Sequence, residues 1–348
     1  MLNEKAKLNP KLFDKDIEQK PTRDGYGEGL VLAGKENPNV VVLCADLSDS
    51  TRSAMFQKEF PDRFIECGIA EQNMMDVAVG LALSGKIPFV STYAVFCPGL
   101  NWSQLRVSVL QNNANVKLTG AHAGISVGPD GMSHQALEDI AITRCLPGLT
   151  VIAPCDSIET KKATLAAARM NGAVYLRFAR EKTPIFTTEE TPFEIGKAII
   201  LRDIEDARPS EAPEERRRVA IIGCGPLLYN ALLAAEELSK EGIKAMVINS
   251  HTIKPLDEKT IIEAAKKCGA IVSVEEHQVM GGLGSAIAEV LAKNYPVPQE
   301  FIGVQDRWGE SGEPNELIEA LGMGVGSIKE AVKKVLTRKK NRLKNLGG

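Results

Sequence analysis

Apolar residues along this 348-residue chain gather into short unbroken runs, each followed by a polar or glycine-rich turn and then by apolar positions at helical spacing. Val40 to Ala45 is such a run, and it fits a strand buried on both faces. Arg63 to Cys67 reads as a second strand, and Met74, Val77, Ala78, Leu81 and Ala82 repeat at helical spacing behind it. Gly85-Lys86 breaks that helix, and Ile87 to Thr92 reads as a third strand. A helix holding Trp102, Leu105, Val109 and Leu110 comes next. The pattern continues with a strand Val116–Ala121, a loop His122–His134 and a helix Gln135–Arg144. Strand Leu149–Ala153, helix Asp156–Met170 and strand Ala173–Phe178 complete the first unit. Alternation of this kind predicts an α/β fold, a mainly parallel sheet with helices on both faces.

A second α/β unit begins at Val219 with strand, helix (Leu227–Lys240), strand (Lys244–Asn249), helix (Asp257–Lys267) and strand (Ala270–Val274). A helix-rich part follows from Leu283. The expected organisation is an arm over 1–20, a first domain over 21–185, a linker or hairpin over 186–218 and a second domain over 219–348. The arm is polar and lysine-rich and reads as solvated. Arg208-Pro209-Ser210-Glu211-Ala212-Pro213 marks the linker. Gly223-Cys224-Gly225 reads as a turn before a helix, because the third glycine of a dinucleotide fingerprint is lacking. Gly281-Gly282-Leu283-Gly284 reads as a helix start with the potential to hold an anion. The basic residues from Lys333 to Lys344 read as a solvated helix end.

Composition narrows the class. With 44% hydrophobic and 25% charged residues the chain is an ordinary globular protein, and a net charge of −3 argues against a nucleic-acid partner. No apolar run reaches the length of a membrane span. Seven scattered cysteines without a Cys-x-x-Cys pair point to reduced thiols in a cytoplasmic protein, not to zinc or a disulfide framework.

The candidate chemistry collects where open α/β sheets bind ligands, at the C-terminal ends of the strands. Asp46 and Ser50 follow the first strand, and Glu71 stands between the second strand and its helix. Tyr93 and Phe96 follow the third, His122, Asp130 and His134 lie in the glycine-rich loop, and Arg180 follows the strand Ala173–Phe178. Taken singly each has an ordinary explanation: Glu71 a helix cap, the aromatics core, the histidines and arginine surface groups. Sheet topology brings them to one crevice, and that favours a site.

Four stretches then carry a resemblance. Gly68-Ile69-Ala70-Glu71-Gln72-Asn73, Ser91-Thr92-Tyr93-Ala94-Val95-Phe96, Gly128-Pro129-Asp130-Gly131-Met132-Ser133-His134-Gln135 and His251-Thr252-Ile253-Lys254-Pro255-Leu256-Asp257 together resemble transketolase. The likeness runs from about Thr22 to Val335 and covers the pyrimidine-binding and C-terminal domains of that family. The Gly-Asp-Gly that marks its diphosphate domain has no counterpart in the sequence. The resemblance implies the C-terminal subunit of a split transketolase that moves a two-carbon ketol unit between sugar phosphates. Thiamine diphosphate would be shared with a separate N-terminal subunit that holds the magnesium, in two plus two copies.

By the same resemblance Glu71 is the glutamate that hydrogen-bonds the pyrimidine N1′, and Tyr93 and Phe96 pack on the pyrimidine ring. Gly99 stands where many members carry a third aromatic. Asp46 lies near the cofactor at the subunit contact. His122, Asp130 and His134 bind the substrate's hydroxyls and phosphate and help shuttle protons. Arg23, Ser50 and Arg180 clamp the phosphate, with Arg177 the alternative to Arg180 in the run Arg177-Phe178-Ala179-Arg180.

Two enzymatic rivals share parts of the pattern. Deoxyxylulose-phosphate synthase normally has arginine where His122 stands, and the β subunit of a 2-oxoacid dehydrogenase has no phosphate for an arginine clamp. A non-catalytic scaffold of the same fold is the reading from another class. The acid–base groups at 71, 122, 130 and 134 weigh against it.

Overall fold

A computed structural model describes residues 1–205 and 217–346. The core of the linker, with Arg208 to Pro213, therefore lies outside the described residues. The first half runs β1 (Gln19–Pro21), α1 (Thr22–Glu36), β2 (Val40–Cys44), α2 (Ser48–Thr51), α3 (Ala54–Glu59), β3 (Phe64–Glu66), α4 (Glu71–Leu83) and β4 (Ile87–Tyr93). It continues with α5 (Trp102–Gln104), a π-helical turn Leu105–Leu110, β5 (Lys117–Ala121), α6 (Asp139–Arg144), β6 (Thr150–Ile152), α7 (Ser157–Arg169), β7 (Val174–Arg177) and β8 (Lys182–Pro184). The second half runs β9 (Ile199–Arg202), β10 (Arg218–Gly223), α8 (Leu228–Lys240), β11 (Lys244–Asn249), β12 (Thr252–Lys254) and α9 (Glu258–Cys268). It closes with β13 (Ile271–Gln278), α10 (Leu283–Asn294), β14 (Gln299–Val304), α11 (Pro314–Ala320) and α12 (Val325–Leu346).

The first sheet has the order β12-β6-β7-β5-β4-β2-β3, parallel except for β12 at its edge. All five residues of β2 are buried, and its side chains alternate between two cores. Val40 and Val42 face α1 and α7, while Val41 and Leu43 face α4. The neighbours β2 and β4 lead in opposite directions, β2 towards β3 and β4 towards β5. Their C-terminal ends thus form the switch-point crevice of an open α/β sheet.

The second sheet has the order β14-β13-β10-β11-β9, parallel except for β9. Ala220 and Ile222 of β10 join the same apolar cluster as Val41 and Leu43, so one core is shared between the two units. The strand β12 is exchanged outright, pairing antiparallel with β6 of the first sheet. The stretch from His251 to Asp257 therefore ties the units together, and Asp257 caps α9 by accepting from Thr260 N at 3.2 Å.

Several expectations need correction. The N-terminal arm is not solvated: Ala6, Leu12 and Ile17 are buried in the second core, and Asn3 N donates to Leu201 O at 2.9 Å. Three apolar residues at wide spacing suffice to dock an arm even when lysines fill the gaps. The helix expected from Gln135 begins only at Asp139, because Gln135 and Ala136 are drawn into the loop's own contacts. The region after Leu283 contains the strand β14 as well as helices. The potential anion site at Gly281–Gly284 is filled by the protein itself, since Glu275 accepts from Leu283 N at 2.7 Å and Gly284 N at 2.8 Å. The basic end of α12 is exposed, as expected, and carries surface ion pairs of Lys333 with Glu241 and of Lys334 and Arg338 with Glu300.

Candidate active site

Glu71 is the first residue of α4, behind Ala70, which offers no side-chain cap. Its side chain does not cap the helix either. It is 5% exposed, and its carboxylate makes no hydrogen bond or ion pair with any described residue. The main chain at that point is held by Asn101, a buried side chain whose Nδ2 donates to Glu71 O at 3.3 Å. A mostly buried glutamate whose carboxylate oxygens have no partner among the described residues is open to a ligand that brings a donor.

An aromatic group stands at the ends of β4 and β5. The Tyr93 ring stacks on His122 with centroids 4.1 Å apart, and on Phe96 at 6.0 Å. The His134 ring stands edge-on to Tyr93 at 6.1 Å and to Phe96 at 5.7 Å. His122 is 1% exposed, with φ +54°, in the left-handed region rarely used by residues other than glycine. Burial, reinforced by the Arg23 charge, pushes its pKa down to about 3, so the imidazole is neutral at physiological pH. Its Nε2 lies 3.2 Å from Ser50 O and 3.4 Å from Arg23 Nη1. Its buried Nδ1 has no partner and is an acceptor or donor according to the tautomer.

Arg23, near the start of α1, donates from Nη1 to Ser50 O at 3.0 Å. Arg180 pairs with Asp130 at 3.1 Å and donates to Val127 O at 3.0 Å. The two guanidiniums and His122 are near enough to act on one another electrostatically. Arg177 is used differently. It is 4% exposed, its Nε pairs with Asp139 at 2.8 Å, and its Nη2 donates to Glu276 O at 2.7 Å. Asp46 is exposed at φ +57° at the end of β2.

The structure thus brings Arg23, Ser50, Tyr93, Phe96, His122 and His134 into one contact group, and joins Asp130 to it through the Ser133 hydroxyl, which lies 3.5 Å from Asp130 O and 2.9 Å from His134 Nδ1. Glu71 and Asp46 follow the adjoining strands at the same sheet edge. Residues that the sequence did not single out hold these groups. Glu66 Oε1 accepts from both Asp46 N (2.8 Å) and Gly68 N (2.9 Å), fixing the turns after β2 and β3 together. Its signal was a charged residue ending an apolar strand, which is too common to notice. Glu276 accepts from Ser126 N inside the glycine-rich loop, and it comes from the other unit. Among the described residues no group of three or more His, Cys, Asp or Glu side chains is spaced to hold a metal ion, and no helix is long and apolar enough to cross a membrane.

Comparison with known proteins finds the following likenesses. The family described as "Transketolase, pyrimidine binding domain" matches residues 18–185, and "Transketolase, C-terminal domain" matches residues 210–328. A protein of Methanocaldococcus jannaschii named as a transketolase C-terminal section is 44% identical over 316 residues, covering 90% of this chain and 95% of its own. The 6-deoxy-6-sulfo-D-fructose transketolase subunit SqwH of Clostridium sp. is 38% identical, covering 95% of this chain and 99% of its own. A solved structure described as a split gene transketolase, inactive beta4 tetramer, superposes with a TM-score of 0.83 at 43% identity, covering 92% of this chain and 99% of that one. Against human transketolase, 37% identical, the chain spans 49% of the length.

Proposed function

The chain belongs to the transketolase family, and on that premise we propose that it is the C-terminal half of a split, thiamine-diphosphate-dependent transketolase. Its partner would be a separate subunit bearing the diphosphate-binding domain and the magnesium. The observation that carries this reading is the mostly buried Glu71, its carboxylate without a partner among the described residues, at the edge that also carries the Tyr93–Phe96–His122 rings.

The residues present fit the pyrimidine half of the cofactor. A ring that brings a basic nitrogen would satisfy Glu71, and Tyr93 and Phe96 offer it an apolar wall. Thiamine diphosphate, when bound, supplies the electron sink for breaking and making the carbon–carbon bond. Glu71 Oε would hold the proton shared with the ring nitrogen N1′. His122, neutral and with a free Nδ1, can exchange a hydrogen bond with a substrate hydroxyl without taking up a proton. His134 sits across the same rings and can serve the leaving or entering oxygen.

Arg23 and Arg180 suit a tetrahedral oxyanion at the far end of the sugar. Asp130 is already paired with Arg180 and would orient it. A phosphorylated ketose is the substrate we favour. The subunit named for a sulfonated fructose makes the choice of oxyanion a matter for direct test. Coverage of nearly the whole of two half-length relatives supports a two-chain enzyme.

The test is ketol transfer by the chain reconstituted with a diphosphate-domain subunit. Phosphorylated, sulfonated and unphosphorylated donors would be compared, the last represented by hydroxypyruvate. We expect preference for a donor with a terminal oxyanion. Indifference to that group would remove the arginine clamp from the account.

A further inference from the structure

The second domain has no chemistry of its own in this reading, yet it touches the glycine-rich loop at every bend. Gly124, Gly128 and Gly131 all have positive φ, at +87°, +72° and +73°. The space a Cβ would need is taken at each by a different residue of the second domain. At Gly124 it is the Glu276 side chain, at Gly128 it is Pro314 and Gly312, and at Gly131 it is Ser311. Only glycine lets the loop follow that surface so closely.

Hydrogen bonds mark the same line. Glu276 Oε1 accepts from Ser126 N, and Glu276 O accepts from Arg177, which is paired with Asp139. Gln135 Nε2 donates to Ile125 O at 3.2 Å and to Glu310 O at 3.0 Å. Asp130 and His134 hang between these anchors, and among the described residues neither bonds to the second domain itself. Their positions are set by what grips the loop on either side.

We infer that the second domain is the positioning element of the substrate loop, and that Glu276 is its principal positioning residue. The inference rests on the transketolase reading for its kinetic consequence, not for its geometry. Domain adhesion alone would not need this arrangement. The shared apolar core already joins the units, and a buried carboxylate is a costly adhesive when it is aimed at the loop backbone around Ile125 and Ser126. Burying it makes sense where the amide's position matters.

Glu276→Ala removes the acceptor, and Glu276→Gln keeps its volume and one oxygen. Amide hydrogen exchange, followed by mass spectrometry on the chain alone, should quicken about tenfold in the segment 124–134 of the alanine variant. Segments of β5 and β10 should be unchanged, and the glutamine variant should stay close to wild type. In the reconstituted enzyme the alanine variant should lose about a hundredfold in kcat/KM for sugar phosphates, as a misplaced contact group does. Hydroxypyruvate, with few hydroxyls to hold, should suffer much less, and Glu276→Gln should restore most of the loss.

Pro314→Gly, which leaves the carboxylate alone, should loosen 127–131 only and keeps the test open if Glu276→Ala fails to fold. Exchange that is unchanged, or raised equally across both domains, would overturn the inference. So would sugar kinetics in Glu276→Ala equal to wild type. Should the wild-type assembly turn over no ketose at all, the transketolase reading fails, and the exchange pattern still decides whether Glu276 holds the loop.

Discussion

Arg177 and Arg180, three positions apart, are put to opposite uses, and the difference can be measured. Arg177 is buried against Asp139, so Arg177→Ala leaves a buried carboxylate without its counter-charge, held only by the Tyr175 hydroxyl, and should cost about 3–5 kcal/mol of stability. Arg180 is 29% exposed in its side chain, and its partner Asp130 is also part-exposed, so Arg180→Ala should barely change thermal unfolding. It should instead raise KM for phosphorylated donors and leave hydroxypyruvate nearly unaffected; equal loss on both would assign Arg180 to structure. Glu71 is judged by rate alone. Glu71→Gln or Glu71→Ala should keep the fold and lower turnover of the reconstituted enzyme by about a hundred- to ten-thousand-fold. Retention of more than about a tenth of the rate would return Glu71 to a structural role.

At the scale of elements, the strand–loop–helix unit from β3 to α4 and the run of β2 were legible because local pattern and tertiary role coincide. The strands β9, β12 and β14 were not. Each is an edge strand, and their pairing is decided by a distant neighbour, β11, β6 or β13, not by their own periodicity. The candidate site residues could be placed at one sheet edge from topology alone. Their supports, Glu66 and Glu276, could not, because a charged residue after an apolar run carries no mark of what it will hold. The same limit hid the meaning of His251, which leads into β12. The structure stacks it on Phe193 at 4.3 Å, fully buried, and burial pushes its pKa down to about 3. The unfolded chain takes up a proton there below the ordinary histidine pKa of about 6.5, and the folded chain does not. Stability is therefore lost as pH falls from 6.5 towards 3. Between about pH 7 and 5.5 wild type should lose about 1.3 kcal/mol more than His251→Gln in urea unfolding. Equal losses would mean that the histidine is charged in the fold.

The whole molecule leaves an apolar face beside its candidate site. Ile69 and Leu100 are 80% and 53% exposed, and Val77 and Leu83 add to them along α4. Gln72 bonds to Leu100 O, which puts Leu100 beside the start of α4, one residue from Glu71, with Ile69 just before it. Such a face at the mouth of a half-site is where a second subunit would complete the cleft. Ile69→Asp or Leu100→Asp should weaken assembly with the partner while the chain's own melting temperature stays put, as sedimentation and calorimetry would show. Cofactor that binds only the assembled enzyme should in turn tighten it by mass action. The most direct measurement is ketol transfer by the purified chain in thiamine diphosphate and magnesium, with and without a diphosphate-domain subunit. The account predicts no transfer from the chain alone and full turnover on mixing. Robust transfer by the lone chain would contradict it, because these 348 residues would then have to hold the cofactor's diphosphate and metal themselves.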